Sequence, residues 1–171
     1  VSGFPDPLVG PRVRLRAFVP ADAAMARELS TDPYVPRTGS LPAHADAAQA
    51  AAWVRRQQGR LAEGAGYSFA LEVGGRAVGQ CGLWFAGAER FTVGYAVVPG
   101  ARGQGLAAEA LGLLVGFAWT HPAARTVEAL VEPWNTASLR TLARAGFTRV
   151  GATTHPIGGE ERDVEVWVVR R

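Results

Sequence analysis

Polar and apolar positions alternate strictly over 12–18, reading Arg-Val-Arg-Leu-Arg-Ala-Phe. That period of two predicts a half-buried strand, which Pro20 ends. The period then lengthens: an alanine-rich stretch over 21–30, with Met25 and Leu29 four apart, predicts a helix closed by Asp32-Pro33. Residues 36–42 read as loop, and 45–61 as a second helix with Trp53, Val54 and Leu61 as its apolar positions, broken at Gly64-Ala65-Gly66. Two further runs, 67–73 and 76–85, flank Gly74-Gly75 and predict a β-hairpin, since two glycines permit a primed turn. A third run, 91–98, extends the meander as far as Pro99. Leu106, Ala110, Leu113, Leu114 and Phe117 recur at helical spacing and predict a helix over 103–119. A strand at 126–131, a helix at 136–145 and strands at 147–153 and 162–169 complete the chain.

This order predicts an α/β (α+β mixed) fold: a mixed, mostly antiparallel sheet of about seven strands flanked by about four helices. The strand–helix–strand unit over 91–131 is a right-handed crossover, so 91–98 and 126–131 form a parallel pair. With 171 residues the chain reads as a single domain, 1–171. Its 48% hydrophobic content excludes a disordered chain. The single cysteine, Cys81, supports neither a disulfide framework nor a metal cluster, so no metal is expected and a reducing, cytoplasmic setting is favoured. The net charge is +3, but the 18 cations are all arginine and spread from Arg12 to Arg171, with no dense stripe for nucleic acid. Residues 1–16 hold no apolar h-region and no run reaches the roughly 18 apolar residues of a spanning helix, so neither secretion nor membrane insertion is expected. The choice between monomer and homodimer stays open.

The most informative stretch is Pro99-Gly100-Ala101-Arg102-Gly103-Gln104-Gly105-Leu106-Ala107-Ala108, between a strand and a helix. Glycines at a helix N-terminus expose successive N–H groups beside the positive end of the helix dipole, which suits a phosphate. A glycine-rich turn without a ligand has the same appearance. No Gly-Lys-Ser/Thr ends the segment, so a Walker loop is excluded. Gly103 to Ala108 also fits the G-x-G-x-x-A of a nicotinamide-dinucleotide site. Against that, the acid about 20 residues on, Glu128, falls inside a strand, and too little chain follows for the rest of a doubly wound sheet.

Arg102-Gly103-Gln104-Gly105-Leu106-Ala107 resembles the Arg/Gln-x-x-Gly-x-Gly/Ala loop of the GNAT superfamily of N-acetyltransferases, and its surroundings resemble the RimJ/RimL-type (ribosomal-protein-alanine acetyltransferase-like) branch. The likeness extends to Arg12–Arg16 with Pro20-Ala21-Asp22-Ala23, to Gly79–Leu83, Gly94–Val97, Asn135-Thr136-Ala137-Ser138, Gly146-Phe147 and Asp163. It implies acetyl-CoA as cosubstrate, with its pyrophosphate on Arg102, Gly103, Gln104, Gly105, Leu106 and Ala107. It also implies a pantetheine arm along the strand at Val97 and Val98, whose backbone groups Pro99 would free from the ladder. The acceptor is then a primary amine, from a peptide N-terminus or a small molecule. A CoA-binding regulatory module without catalysis is the alternative.

Asn135 reads as the N-cap of the helix after it, and the resemblance adds contact with the coenzyme arm. Many GNAT enzymes carry a tyrosine four residues after the position of Ser138, where this chain has Leu142. The resemblance therefore gives Ser138 the role of hydrogen-bonding the leaving thiolate, which is basic enough at neutral pH to need it. Glu132, at the end of the strand 126–131, is the candidate general base, with Glu128 and His155 as rivals. The glutamate that the branch often places before Gly-Tyr is absent from Thr92-Val93-Gly94-Tyr95. Among Trp53, Trp84 and Trp134, Trp134 is the candidate acceptor contact, and Cys81 reads as a small buried hydrophobe.

Overall fold

The protein is described by a computed structural model over residues 3–171. Strands β1 (Leu8–Val9) and β2 (Val13–Arg16) lead through α1 (Ala23–Leu29), a single turn α2 (Val35–Thr38) and α3 (Ala47–Gly59) to the meander β3 (Gly66–Val73), β4 (Arg76–Phe85) and β5 (Arg90–Val97). After α4 (Leu106–Ala118) follow β6 (Thr126–Val131), α5 (Thr136–Arg144), β7 (Thr148–Ile157) and β8 (Glu160–Arg170). They form one sheet of eight strands in the order β1-β2-β3-β4-β5-β6-β8-β7. Every neighbouring pair is antiparallel except β5 and β6, which are parallel.

The fold class agrees with the pattern in the sequence, and the differences have local causes. The eighth strand is β1, only two residues long and too short to show a period. The last two strands run on to Ile157 and back from Glu160 because Gly158 and Gly159, at φ +60° and +82°, supply a tight turn between them. Helix α4 starts at Leu106 instead of 103, since Gly103 and Gly105 both sit at positive φ, +78° and +75°.

Successive residues of a strand face opposite sides of the sheet, and side-chain contacts say which helices cover which side. Phe69 on β3 meets Phe117 of α4 (6.1 Å between rings), whereas its neighbour Ser68 donates to Gln57 of α3 (2.8 Å). Helices α4 and α5 therefore cover one face, and α1 and α3 the other. On the first face α4 buries Leu106, Ala110, Leu111, Leu114 and Ala118. Each fully buried leucine there contributes about 1.5–3 kcal/mol relative to exposure. Helix α3 begins with a reciprocal cap, Asp46 accepting from the Gln49 N–H and Gln49 from the Asp46 N–H. Cys81 is fully buried in β4, and burial pushes its thiol up, so it is held as a neutral hydrophobe.

Candidate active site

The parallel pair is short. β5 and β6 are matched only at Arg90 with Thr126, Phe91 with Val127 and Thr92 with Glu128, after which they part. On its other side β5 stays bonded to β4: the Ala86 N–H donates to the Arg90 carbonyl (3.0 Å) and the Val98 N–H to the Val78 carbonyl (2.8 Å). In an antiparallel ladder bonded residues alternate, so the even-numbered positions of β5 bond to β4. Beyond the last matched pair, Tyr95 and Val97 consequently turn their backbone N–H groups toward the gap. A cleft of about 450 Å³ occupies it, lined among others by Val93, Tyr95, Leu130, Glu132 and Ser138.

At the upper end of β5, Pro99–Ala101 form a short 3-10 turn and Gly105 is the N-cap of α4. The first intrahelical bond of α4 is made by the Glu109 N–H to the Gly105 carbonyl (3.2 Å), which leaves the N–H groups of Leu106, Ala107 and Ala108 ahead of it unpaired within the helix. Gly103, Gln104 and Gly105 thus form the turn that leads into Leu106 and Ala107 at the start of α4. A Cβ placed on Gly105 would lie 3.5 Å from Arg12 Nη2 and 3.6 Å from Arg144 Nη1. Arg12 is anchored by Nε to Glu109 (2.9 Å) and by Nη1 to the Gln104 carbonyl (2.7 Å). Burial opposes the charge on Glu109, but the Arg12 and Val13 N–H groups and the Arg12 guanidinium hold its carboxyl below the usual range. Arg102 donates from Nε to the Val97 carbonyl (2.9 Å) and from Nη1 to Asp32 (2.7 Å).

On the α4/α5 face of the gap, Ser138 sits in the first turn of α5, where Asn135 caps the helix by accepting from the Ser138 N–H (3.3 Å). The phenol of Tyr95 reaches across from β5 to the Ser138 hydroxyl. Burial raises the Tyr95 phenol above its ordinary value, so it stays a neutral hydroxyl. On the α1/α3 face stands Glu132, only 5% exposed. The Tyr34 hydroxyl donates to it and Arg162 lies 3.8 Å away. Burial first, and then the bond to Glu132, push the Tyr34 phenol up. The ring of Tyr34 meets Trp134 edge to face at 4.9 Å, with Trp134 59% exposed at the rim. An adjoining cavity of about 750 Å³, lined by Arg37, Trp134, Gly158 and Arg162, shares Tyr34 and Glu132 with the cleft.

One expectation needs correction. Val98 offers no free backbone group, because its N–H belongs to the ladder with Val78 and its carbonyl accepts from the Ala101 N–H (3.0 Å). Val97 keeps its N–H toward the gap. Of the rival bases, Glu128 faces Arg90 at 3.8 Å, while His155 lines the cleft. Leu142, where the resemblance would have a tyrosine, is fully buried in the core. Reasoning from sequence missed Tyr34, Asp32, Tyr95, Arg12 and Arg144. Asp32-Pro33 was legible as a helix stop, but the ion pair across 70 residues to Arg102 leaves no local signal.

The family described as acetyltransferase (GNAT) domain matches residues 12–148. An uncharacterized N-acetyltransferase p20 from Bacillus licheniformis is 28% identical over 144 residues, covering 82% of this chain and 81% of that protein. Among solved structures, Mycobacterium smegmatis RimJ in complex with CoA-disulfide superposes with a TM-score of 0.80 at 26% identity, over 96% of this chain and 86% of that one. A GNAT-family acetyltransferase from Bacillus anthracis has the same fold, with a TM-score of 0.80 at 19% identity over 96% and 98% of the two chains. With its family match running from the first long strand into β7, this chain belongs to the GNAT acetyltransferases.

Proposed function

We propose that the protein is a cytoplasmic N-acetyltransferase of the RimJ/RimL type, moving the acetyl group of acetyl-CoA to the α-amine of a peptide N-terminus or of a small molecule. The observation that carries this reading is the gap between β5 and β6, which leaves the N–H groups of Tyr95 and Val97 facing it next to the glycine turn. Those groups suit the two amides of a pantetheine arm, and the free N–H groups of Leu106 and Ala107 suit a pyrophosphate. The Asn135 amide, with its oxygen committed to the cap, has its NH2 left for the same arm. Mycobacterium smegmatis RimJ, similar over 96% of this chain, is complexed with CoA-disulfide, which supports the same ligand here.

The two faces of the gap divide the proton work. The amine approaches from the α1/α3 face, and Glu132 receives its proton there as nitrogen attacks the thioester carbonyl. On the α4/α5 face the carbon–sulfur bond breaks, and Ser138 gives the departing sulfur a hydrogen bond. Trp134 and Tyr34 border the entry. An α-amine needs little help: at pH 7 roughly a tenth of such groups are neutral, against about 0.04% of lysine side chains.

The test is acetyl-CoA consumption over N-terminal peptides, lysine-only peptides, polyamines and aminoglycosides, with mass mapping of products and thermal shift against CoA and NAD. Acetylation of α-amines, and stabilisation by CoA of about 2.7 kcal/mol at 100 times its Kd, are expected. Products confined to lysine side chains would overturn the α-amine assignment. Stabilisation by NAD alone would overturn the coenzyme.

A further inference from the structure

The α1/α3 side of the cleft is lined by hydrogen-bond donors that the transfer reaction does not use. Trp53, Gln57 and Arg60 recur at i, i+4 and i+7 along α3 and its C-cap, so one helix face presents all three to the cleft. Gln57 is 5% exposed and Ser68 2% exposed. They are fixed in a chain in which Gln80 Nε2 donates to Ser68 Oγ (3.2 Å) and Ser68 Oγ to Gln57 Oε1 (2.8 Å). With its oxygen committed, the Gln57 amide has only NH2 to offer a ligand. Arg60 lies beside it with its guanidinium carbon 6.0 Å from the centre of the Trp84 ring. Its Nε is buried and has no hydrogen-bond partner among the described residues. The acid it pairs with, Glu63, is 57% exposed and 3.6 Å away, a weak surface pair.

These donors stand at the closed base of the gap. Trp84 is paired with Thr92, the last residue of β5 matched to β6, and the partner there is Glu128. Glu132 lies four residues further along, roughly 13 Å at the rise of a strand. A buried acid thus stands toward the mouth and a guanidinium with an amide NH2 at the base. A simple alkylamine would leave the basal donors desolvated without partners, which is unfavourable.

We infer that the acceptor carries a carboxylate a few bonds from its amine, and that Arg60 and Gln57 bind this carboxylate at the base of the cleft against Trp84. The carboxylate can come from the acidic first side chain of a peptide or from a free amino acid. The inference rests on the acetyl-transfer reading above and names the substrate class of that site.

The experiment compares kcat/KM for peptides beginning with Asp or Glu against those beginning with Asn or Gln, and for free alanine against alaninamide, in the wild type, Arg60→Met and Arg60→Lys. A charged hydrogen bond corresponds to tenfold or more, so the wild type should prefer the carboxylate members by about that factor. Arg60→Met should shrink the preference to about twofold with the acetyl-CoA KM unchanged, and Arg60→Lys should restore part of it. Preference among peptides assigns the carboxylate to a side chain, and preference among free amino acids to a small molecule. Equal rates within the wild-type pairs, or a preference that survives Arg60→Met, would overturn the inference while leaving acetyl transfer intact. Absence of turnover with every amine would overturn the transfer reading and this inference with it.

Discussion

Tyr95 is the residue through which β5 reaches α5, and its phenol shares a hydrogen bond with the Ser138 hydroxyl. A phenol that donates to Ser138 Oγ leaves the serine hydrogen free to turn toward a departing sulfur. Tyr95→Phe should therefore lower kcat by about five- to tenfold, the worth of one hydrogen bond, with the CoA Kd within twofold. Ser138→Ala should do the same, and the double variant should be no slower than Ser138→Ala. Single-turnover kinetics measure all three, and additive losses would separate the two residues. At Gly105 the positive φ changes what a side chain would do. Gly105→Val should cost about 1–2 kcal/mol of stability for the left-handed backbone, besides weakening CoA binding, as paired thermal and binding titrations would register. The glycine was legible in the sequence as a motif residue, and Arg102 as its neighbour. What Arg102 touches was not, because Asp32 is brought to it only by the tertiary fold.

Between elements, Asp32 is the joint. One carboxylate oxygen accepts the N–H groups of Tyr34 (2.8 Å) and Val35 (3.0 Å), and the other accepts Arg102 (2.7 Å). The segment that carries Tyr34 into the acceptor side is thereby tied to the turn before α4. Burial disfavours the Asp32 charge, yet the Val35 N–H and the Arg102 guanidinium together hold its carboxyl below the usual range. A lowered folded-state value means stability that is present above the ordinary aspartate value near 4 and lost as pH falls through the folded one. Asp32→Asn should be destabilised by about 1–3 kcal/mol at pH 7, with the difference narrowing below about pH 4 in denaturant titrations. A constant difference from pH 7 to pH 2 would mean that the side chain acts by shape. The long elements were readable because α4 and the meander have strong periods. The two-residue β1 and the single turn α2, whose positions depend on partners distant in sequence, were not.

Over the whole molecule, the sheet is two pieces, β1 to β5 and β6-β8-β7, joined in their backbone by three matched pairs at one end. Amide hydrogen exchange should expose that seam. In the free protein the N–H groups of Tyr95 and Val97 should exchange faster than those of Thr92, Gly94 and Ala96, which are engaged with β4. Added CoA should slow Tyr95 and Val97, and with them the amides of β6, if the proposed arm takes the place of an intervening strand. Equal protection along β5 before and after CoA would refute this. The ligand would then be a structural member as well as a reactant, each turnover closing the sheet for as long as the coenzyme stays.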